Sequence, residues 1–201
     1  MEPRSPSSPT PPVRRLMVFI DGENLCARFE DMAKDRRITK QVVHSETSKL
    51  THVWHPATIQ ASVHEILRAT YYTSAFADTD KIAIIKQQIR ALGFLAQHRQ
   101  SGLPHTLTPF VAKRKSGSRA SKGVDIKMTV DILTHCYNNN LDTAYIVTGD
   151  ADFGPVIDEL LRHGKQVYLA ALSRGLSPEL PPMVDKFIDL DPIFFEKVEP
   201  E

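Results

Sequence analysis

LMVFIDGEN (residues 16–24) and AYIVTGDADFGP (144–155) are the two stretches whose reading decides the fold. In each, a short apolar run with no polar alternation stops at an acid. Residues 16–20 end at Asp21, and 144–147 end just before Asp150 and Asp152. Short apolar runs without alternation fit parallel strands buried on both faces. An acid directly past such a strand lies at the carboxyl edge of an open α/β sheet, where these folds hold their ligands. A third stretch, KGVDIKMTVD (122–131), puts Asp125 just behind Gly123 at the start of a helical pattern. Carboxylates from distant parts of the chain, gathered on one edge, repel one another unless a cation sits among them. Asp21, Asp125, Asp150 and Asp152 therefore form a candidate divalent-metal site.

Outward from these strands the chain alternates strand and helix patterns. Residues 24–34 read as a helix with Leu25, Phe29, Met32 and Ala33 at helical spacing. Residues 65–72 read as a strand. Asp78 or Thr79 caps a helix that runs to about Leu92, with Ile82, Ile85 and Ile89 on one stripe. FLAQHRQ (94–100) and LTPFVAK (107–113) read as further strands. A helix over 124–137 presents Ile126, Val130, Leu133 and Tyr137 on one side. A strand at 144–148, a helix at 153–163, a strand at 166–171, a short helix near 179–185 and an edge strand at 187–190 complete the set. Strands alternating with helices imply an α/β fold with a mostly parallel, helix-covered sheet. Residues 36–64 break this rhythm and read as an insertion, with a short helix starting near Pro56. Residues 1–15, rich in Pro and Ser, read as a disordered leader, and 192–201 as a tail.

Composition excludes several classes. At 201 residues and 41% hydrophobic, the chain suits one domain with a real core. A net charge of +1 gives no global pull toward polyanions, so a nucleic-acid footprint must be local. Cys26 and Cys136 fit no zinc spacing and read as buried, reduced thiols. No apolar run approaches the ~18 residues of a membrane span. The N-terminus has no secretory h-region, so a soluble cytoplasmic protein without membrane contact is expected.

Each acid has a plainer role beside the chemical one. Asp21 or Asn24 can cap the first helix, and one of Asp150 and Asp152 can cap the helix after them. Two acids two residues apart exceed what capping needs. Asp125 is favoured at a helix start by the helix dipole. Asp131 lies six residues beyond it, about 240° around the helix, and pairs more simply with Lys127 at i+4. Dinucleotide, P-loop and nucleophile-elbow patterns are absent. An aspartyl-nucleophile phosphatase would want a second Asp where Glu23 stands. Metal-assisted attack on a phosphodiester remains, with Mg²⁺ or Mn²⁺ as the hard cation that prefers carboxylate oxygen.

FIDGEN (19–24), KGVDIKMTVD and TGDADFGPVIDELLRHGKQV (148–167) together resemble the NYN domain of the PIN-like ribonuclease superfamily, its LabA-like branch in particular. The resemblance runs from about residue 16 to 190, with the motifs in the family's order. It implies a Rossmann-like three-layer sandwich with acids at one sheet edge, and a Mg²⁺- or Mn²⁺-dependent endoribonuclease acting on single-stranded or structured RNA. It also implies that Asp21, Asp125 and Asp150 bind metal, with Asn24 and Asp152 as catalytic auxiliaries and Thr148 in place of the family's usual Ser. The loop from Lys113 through Arg114, Lys115 and Arg119 to Lys122 holds five basic residues and no acid. It leads straight to Asp125, so its charges can position an RNA backbone. Tyr71 and Tyr72 could stack on bases, though apolar neighbours favour burial, and the histidines of 36–64 read as packing residues. The alternative is a non-catalytic RNA- or protein-binding module of the same fold. A homodimer or protein partner stays open.

Overall fold

The computed structural model describes residues 13–45, 50–60, 64–94, 105–114 and 122–196. In chain order the elements are β1 (Arg14–Asp21), α1 (Gly22–Met32), β2 (Val43–His44), β3 (Val53–Trp54), β4 (His64–Ala75), α2 (Thr79–Arg90), β5 (Thr108–Lys113) and α3 (Lys122–Tyr137). They continue with β6 (Thr143–Val147), α4 (Gly154–Arg162), β7 (Gln166–Ala171), β8 (Lys186–Asp189) and α5 (Asp191–Phe194). Six strands form one sheet in the order β5-β4-β1-β6-β7-β8, every neighbouring pair parallel. The mixed α/β architecture is that of a PIN-like three-layer sandwich.

Central β1 shows why its sequence lacks alternation. Leu16, Val18 and Ile20 point into a core shared with α1, α2 and the end of the chain, while Met17 and Phe19 point into a second core shared with α3 and α4. Both faces are covered, so every position is apolar. None of the described helices is long and apolar enough to cross a membrane. Cys26 and Cys136 are free and buried.

Several boundaries and one helix face differ from the sequence reading. β1 begins at Arg14, inside the expected leader, because Arg15 is tied to Asp142 by its backbone N–H at 2.8 Å and by its guanidinium at 2.7 Å. The described part of the expected tail, 192–196, belongs to the domain: Phe194 and Phe195 are buried and both lie against the ring of Phe29. The described part of residues 36–64 is tied into the core through the antiparallel pair β2–β3. Trp54 is buried and its indole N–H donates to the Gly93 carbonyl at 2.7 Å, while His52 and His55 are buried as well. The helix expected near Pro56 is a single 3-10 turn, Pro56–Thr58, and the one expected near 179–185 is another, Pro181–Met183. On α3 the buried row is Val124, Met128, Ile132 and Cys136, whereas Ile126, Val130 and Tyr137 are exposed. Both rows are apolar at i, i+4 spacing, so periodicity alone does not choose between them. The strand expected at 94–100 lies outside the described residues, save Phe94, which is not in a strand.

Candidate functional site

From β1 the chain builds one half of the sheet through β4 and β5, then crosses back to place β6 on the other side of β1. The carboxyl ends of β1 and β6 therefore flank the point where strand order reverses, which is where open α/β sheets bind ligands. Asp21 is the last residue of β1, and Thr148, Gly149 and Asp150 directly follow β6.

A run of short hydrogen bonds locks these two ends together. The Oδ1 of Asp21 accepts the Asn24 N–H at 3.0 Å, capping α1, and its Oδ2 accepts the Thr148 hydroxyl at 2.9 Å. The Asn24 side chain reaches the other way, its Oδ1 accepting the Gly149 N–H at 3.1 Å. Thr148 Oγ1 accepts the Asp150 N–H at 3.2 Å, and Asp150 Oδ1 accepts the Asp152 N–H at 3.0 Å. Gly22 permits this arrangement. A Cβ there would lie 2.1 Å from the Tyr71 ring and 2.7 Å from the Tyr72 carbonyl oxygen, so only glycine lets α1 start this close to β4.

The carboxylates at this edge sense one another. Burial pushes the Asp21 carboxyl up to about 7; its two hydrogen bonds oppose that rise, and the charges of Asp125 and Glu23 add to it. Burial also raises Asp125, and Glu23, Asp150 and Asp152 push it in the same direction. Acids from the ends of β1 and β6 and from the first turn of α3 thus share one electrostatic neighbourhood. Asp21 is buried, while Asp125, Asp150 and Asp152 are exposed and reachable from solvent. Asp131 stands apart, paired with Lys127 and accepting the Tyr72 hydroxyl at 2.9 Å.

Glu23 is the member that sequence reasoning missed. Its Oε1 accepts the Ser74 hydroxyl and the Arg114 Nη2 at 2.8 Å, and Arg114 Nε donates to Ser74 Oγ at 2.5 Å. The available signal was an acid in the first turn of a helix two residues after Asp21. Its partner Ser74 lies beyond the expected end of β4, so the network could not be read locally.

The basic stretch divides in the structure. Lys113 is exposed at the end of β5, and Lys122 opens α3. Lys115 and Arg119 lie outside the described residues. Arg114 is drawn inward by Glu23, its side chain 18% exposed, so its charge is already engaged. Thr148 is buried with its hydroxyl turned to Asp21, which makes it a support for the acid rather than a surface for substrate. Tyr71 and Tyr72 are fully buried and offer no stacking face.

The donor set suits a hard divalent cation. Asp21, Asn24, Asp125, Asp150 and Asp152 all offer oxygen, with no thiol or imidazole among them, and the charges of neighbouring acids add to the rise that burial gives Asp21 and Asp125. Among the described residues, no three His, Cys, Asp or Glu side chains stand close enough to enclose an ion unaided. The fit is one of donor chemistry and charge, not of a closed cage.

Comparison with known proteins identifies the family. The NYN domain family model matches residues 15–191. The chain belongs to the NYN family. NYN domains fall within the PIN-like superfamily and are generally nuclease-like and RNA-associated, and such nucleases typically use divalent metals. This NYN domain is 37% identical over 67 residues to an uncharacterized protein of Methanocaldococcus jannaschii; the match spans 33% of this chain and 28% of the archaeal one. Its fold is similar to that of a protein of unknown function from Vibrio parahaemolyticus, with a TM-score of 0.60 and 18% identity, over 94% of this chain and 99% of that one.

Proposed function

We propose that this NYN domain is an endoribonuclease that hydrolyses RNA phosphodiester bonds with Mg²⁺ or Mn²⁺ held by Asp21, Asp125 and Asp150. The observation that carries the proposal is that acids from β1, α3 and the end of β6 share one electrostatic neighbourhood at the switch point of the sheet, where burial and then the charges of Glu23, Asp150 and Asp152 raise the Asp125 carboxyl. When bound, the cation supplies a water of lowered pKa and neutralises charge developing on the phosphate.

The chain's own residues supply the rest. Asp21 is fixed in orientation, held by the Asn24 N–H and the Thr148 hydroxyl so that its carboxyl group cannot swing. Exposed Asp152 is positioned to take the proton of the attacking water. Lys113, Lys115, Arg119 and Lys122 provide cations for the RNA backbone, a contact that positions without reading sequence. In-line attack at phosphorus leaves a 5′-phosphate and a 3′-hydroxyl.

The test is cleavage of labelled single-stranded RNA by the purified protein with Mn²⁺, beside Asp150→Asn. Asparagine keeps the cap on the Asp152 N–H, so the variant should fold and lose activity at least ~100-fold. Equal cleavage by both proteins would overturn the assignment. One observation favours a second reading, a non-catalytic binding module: both Asp21 oxygens already serve the fold. RNA binding without cleavage in Mn²⁺ would support it.

A further inference from the structure

Beside the acids, the carboxyl end of β4 and the helix α2 enclose a cavity of about 540 Å³. Its lining includes Ala75, Phe76, Ile84 and Ile85, with Lys81 and Arg114 as its cations. Phe76 and Ile84 are each 53% exposed although both are large and apolar. They come from different elements, one just past the end of β4 and one on α2, and meet around the same hollow. The volume is within the range of pockets that hold small organic ligands, ~300–1,000 Å³.

Arg114 joins this cavity to the acid edge. Its guanidinium lies 5.3 Å from the centre of the Phe76 ring, and the same group is bonded to Glu23 and Ser74. Glu23 in turn acts on the charges of Asp21 and Asp125. Ser74 and Arg114 therefore belong both to the wall of the cavity and to the network that borders the acids.

We propose that this cavity is a nucleobase subsite for single-stranded RNA, with Phe76 as the stacking surface and Ile84 as an apolar wall. The proposal rests on the ribonuclease reading and extends it to how the strand is held. A flat apolar group that arrives attached to a polyanion matches an aromatic and aliphatic hollow whose lining includes the Lys81 cation, while Arg114, already paired with Glu23, ties the hollow to the acid edge. An uncharged apolar ligand would have no use for Lys81. A strand whose phosphate reaches the acids would then set a neighbouring base against Phe76. Stacking tolerates every base, so the subsite would select for single strands rather than for sequence.

The experiment uses the full chain carrying Asp150→Asn, so that RNA is bound and not consumed. Affinity is measured by fluorescence anisotropy for an oligouridylate and for an abasic ribose-phosphate oligomer of equal length and charge. Binding of the base-bearing strand is expected to be about 10- to 100-fold tighter. Phe76→Ala should remove most of that difference while leaving affinity for the abasic oligomer unchanged. Ile84→Gln, at an exposed helix position that tolerates the change, should reduce it several-fold. Equal affinity for the two oligomers, or an unchanged ratio in both variants, would overturn the subsite. Cleavage by the unsubstituted protein in Mn²⁺ is scored separately. Intact cleavage with an unchanged ratio sinks only the subsite, whereas a lost ratio in Phe76→Ala without wild-type cleavage sinks only the ribonuclease reading.

Discussion

Asp21→Asn should stabilise the metal-free protein at pH 8. Asp21 is 3% exposed and its carboxyl is raised from 3.8 to about 7. Between those values the folded chain holds a proton that the unfolded chain has released. Stability therefore falls as pH rises through this window, and the full penalty stands above it. The displacement corresponds to about 4 kcal/mol, a ceiling that water entry and side-chain relaxation lower. Asparagine removes the charge and keeps an acceptor for the Asn24 N–H. Its amide can donate to the Thr148 hydroxyl, which accepts as readily as it donates. A net gain of about 2 kcal/mol at pH 8 would raise Tm by roughly 4–8 °C for a domain of this size. The gain should shrink toward zero by pH 4. Thermal denaturation of both proteins in EDTA from pH 4 to 8 measures it. Mn²⁺ should then stabilise the unsubstituted protein and not the variant, because a ligand that binds only the folded state shifts folding toward it. A variant no more stable than the parent at pH 8, or a gain independent of pH, refutes the reasoning.

Three further outcomes follow from the packing. Asp142 is held at about 2, first by its hydrogen bond from the Arg15 side chain, so its contribution is full above about pH 4 and lost as pH falls toward 2. Both side chains are 37% exposed, which screens the pair; Asp142→Asn should lower Tm by a few degrees at pH 7 and by progressively less as pH falls to 2. Gly22→Ala should cost about 3 kcal/mol or more in urea unfolding, because the new methyl meets the Tyr71 ring and the Tyr72 backbone at once. Phe194→Ala should cost about 3–5 kcal/mol in the same assay, since the ring is wholly buried; a neutral result would return 192–196 to the role of a tail.

What could be read from the residues was whatever is carried by a few neighbours. β1, β6 and β7 announced themselves as apolar runs, and an acid at the end of a run is at the sheet edge wherever the other strands lie. Asp21 and Asp150 were placed by that logic alone. The rotation of α3 was not legible, because two apolar rows compete and only the packing of Met17 and Phe19 against Met128 and Ile132 selects one. The Glu23 network was not legible either: its bonds to Ser74 and Arg114 span 51 and 91 residues. Arg114 shows the cost of reading charge without partners. A lysine- and arginine-rich stretch looks solvated in sequence, yet one of its members neutralises an acid and borders an aromatic ring.

Capping does not by itself spend Asp21 as a ligand for the proposed ion. A carboxylate offers about four acceptor directions, and the Asn24 N–H and Thr148 hydroxyl occupy one on each oxygen. Two directions remain, on an anion that can neither rotate nor reach bulk water. Under the proposed function, the same bonds that make Asp21 useful to the fold would also fix its orientation before any ion arrives. Asp150 differs in kind, because it is exposed and gives the fold only one short cap. Loss of Asp150 should therefore register in chemistry and scarcely in stability. Loss of the Asp21 charge should register in both, with opposite signs in the presence and absence of a divalent ion. That divergence between two acids of one site separates a working metal centre from a cluster of helix caps.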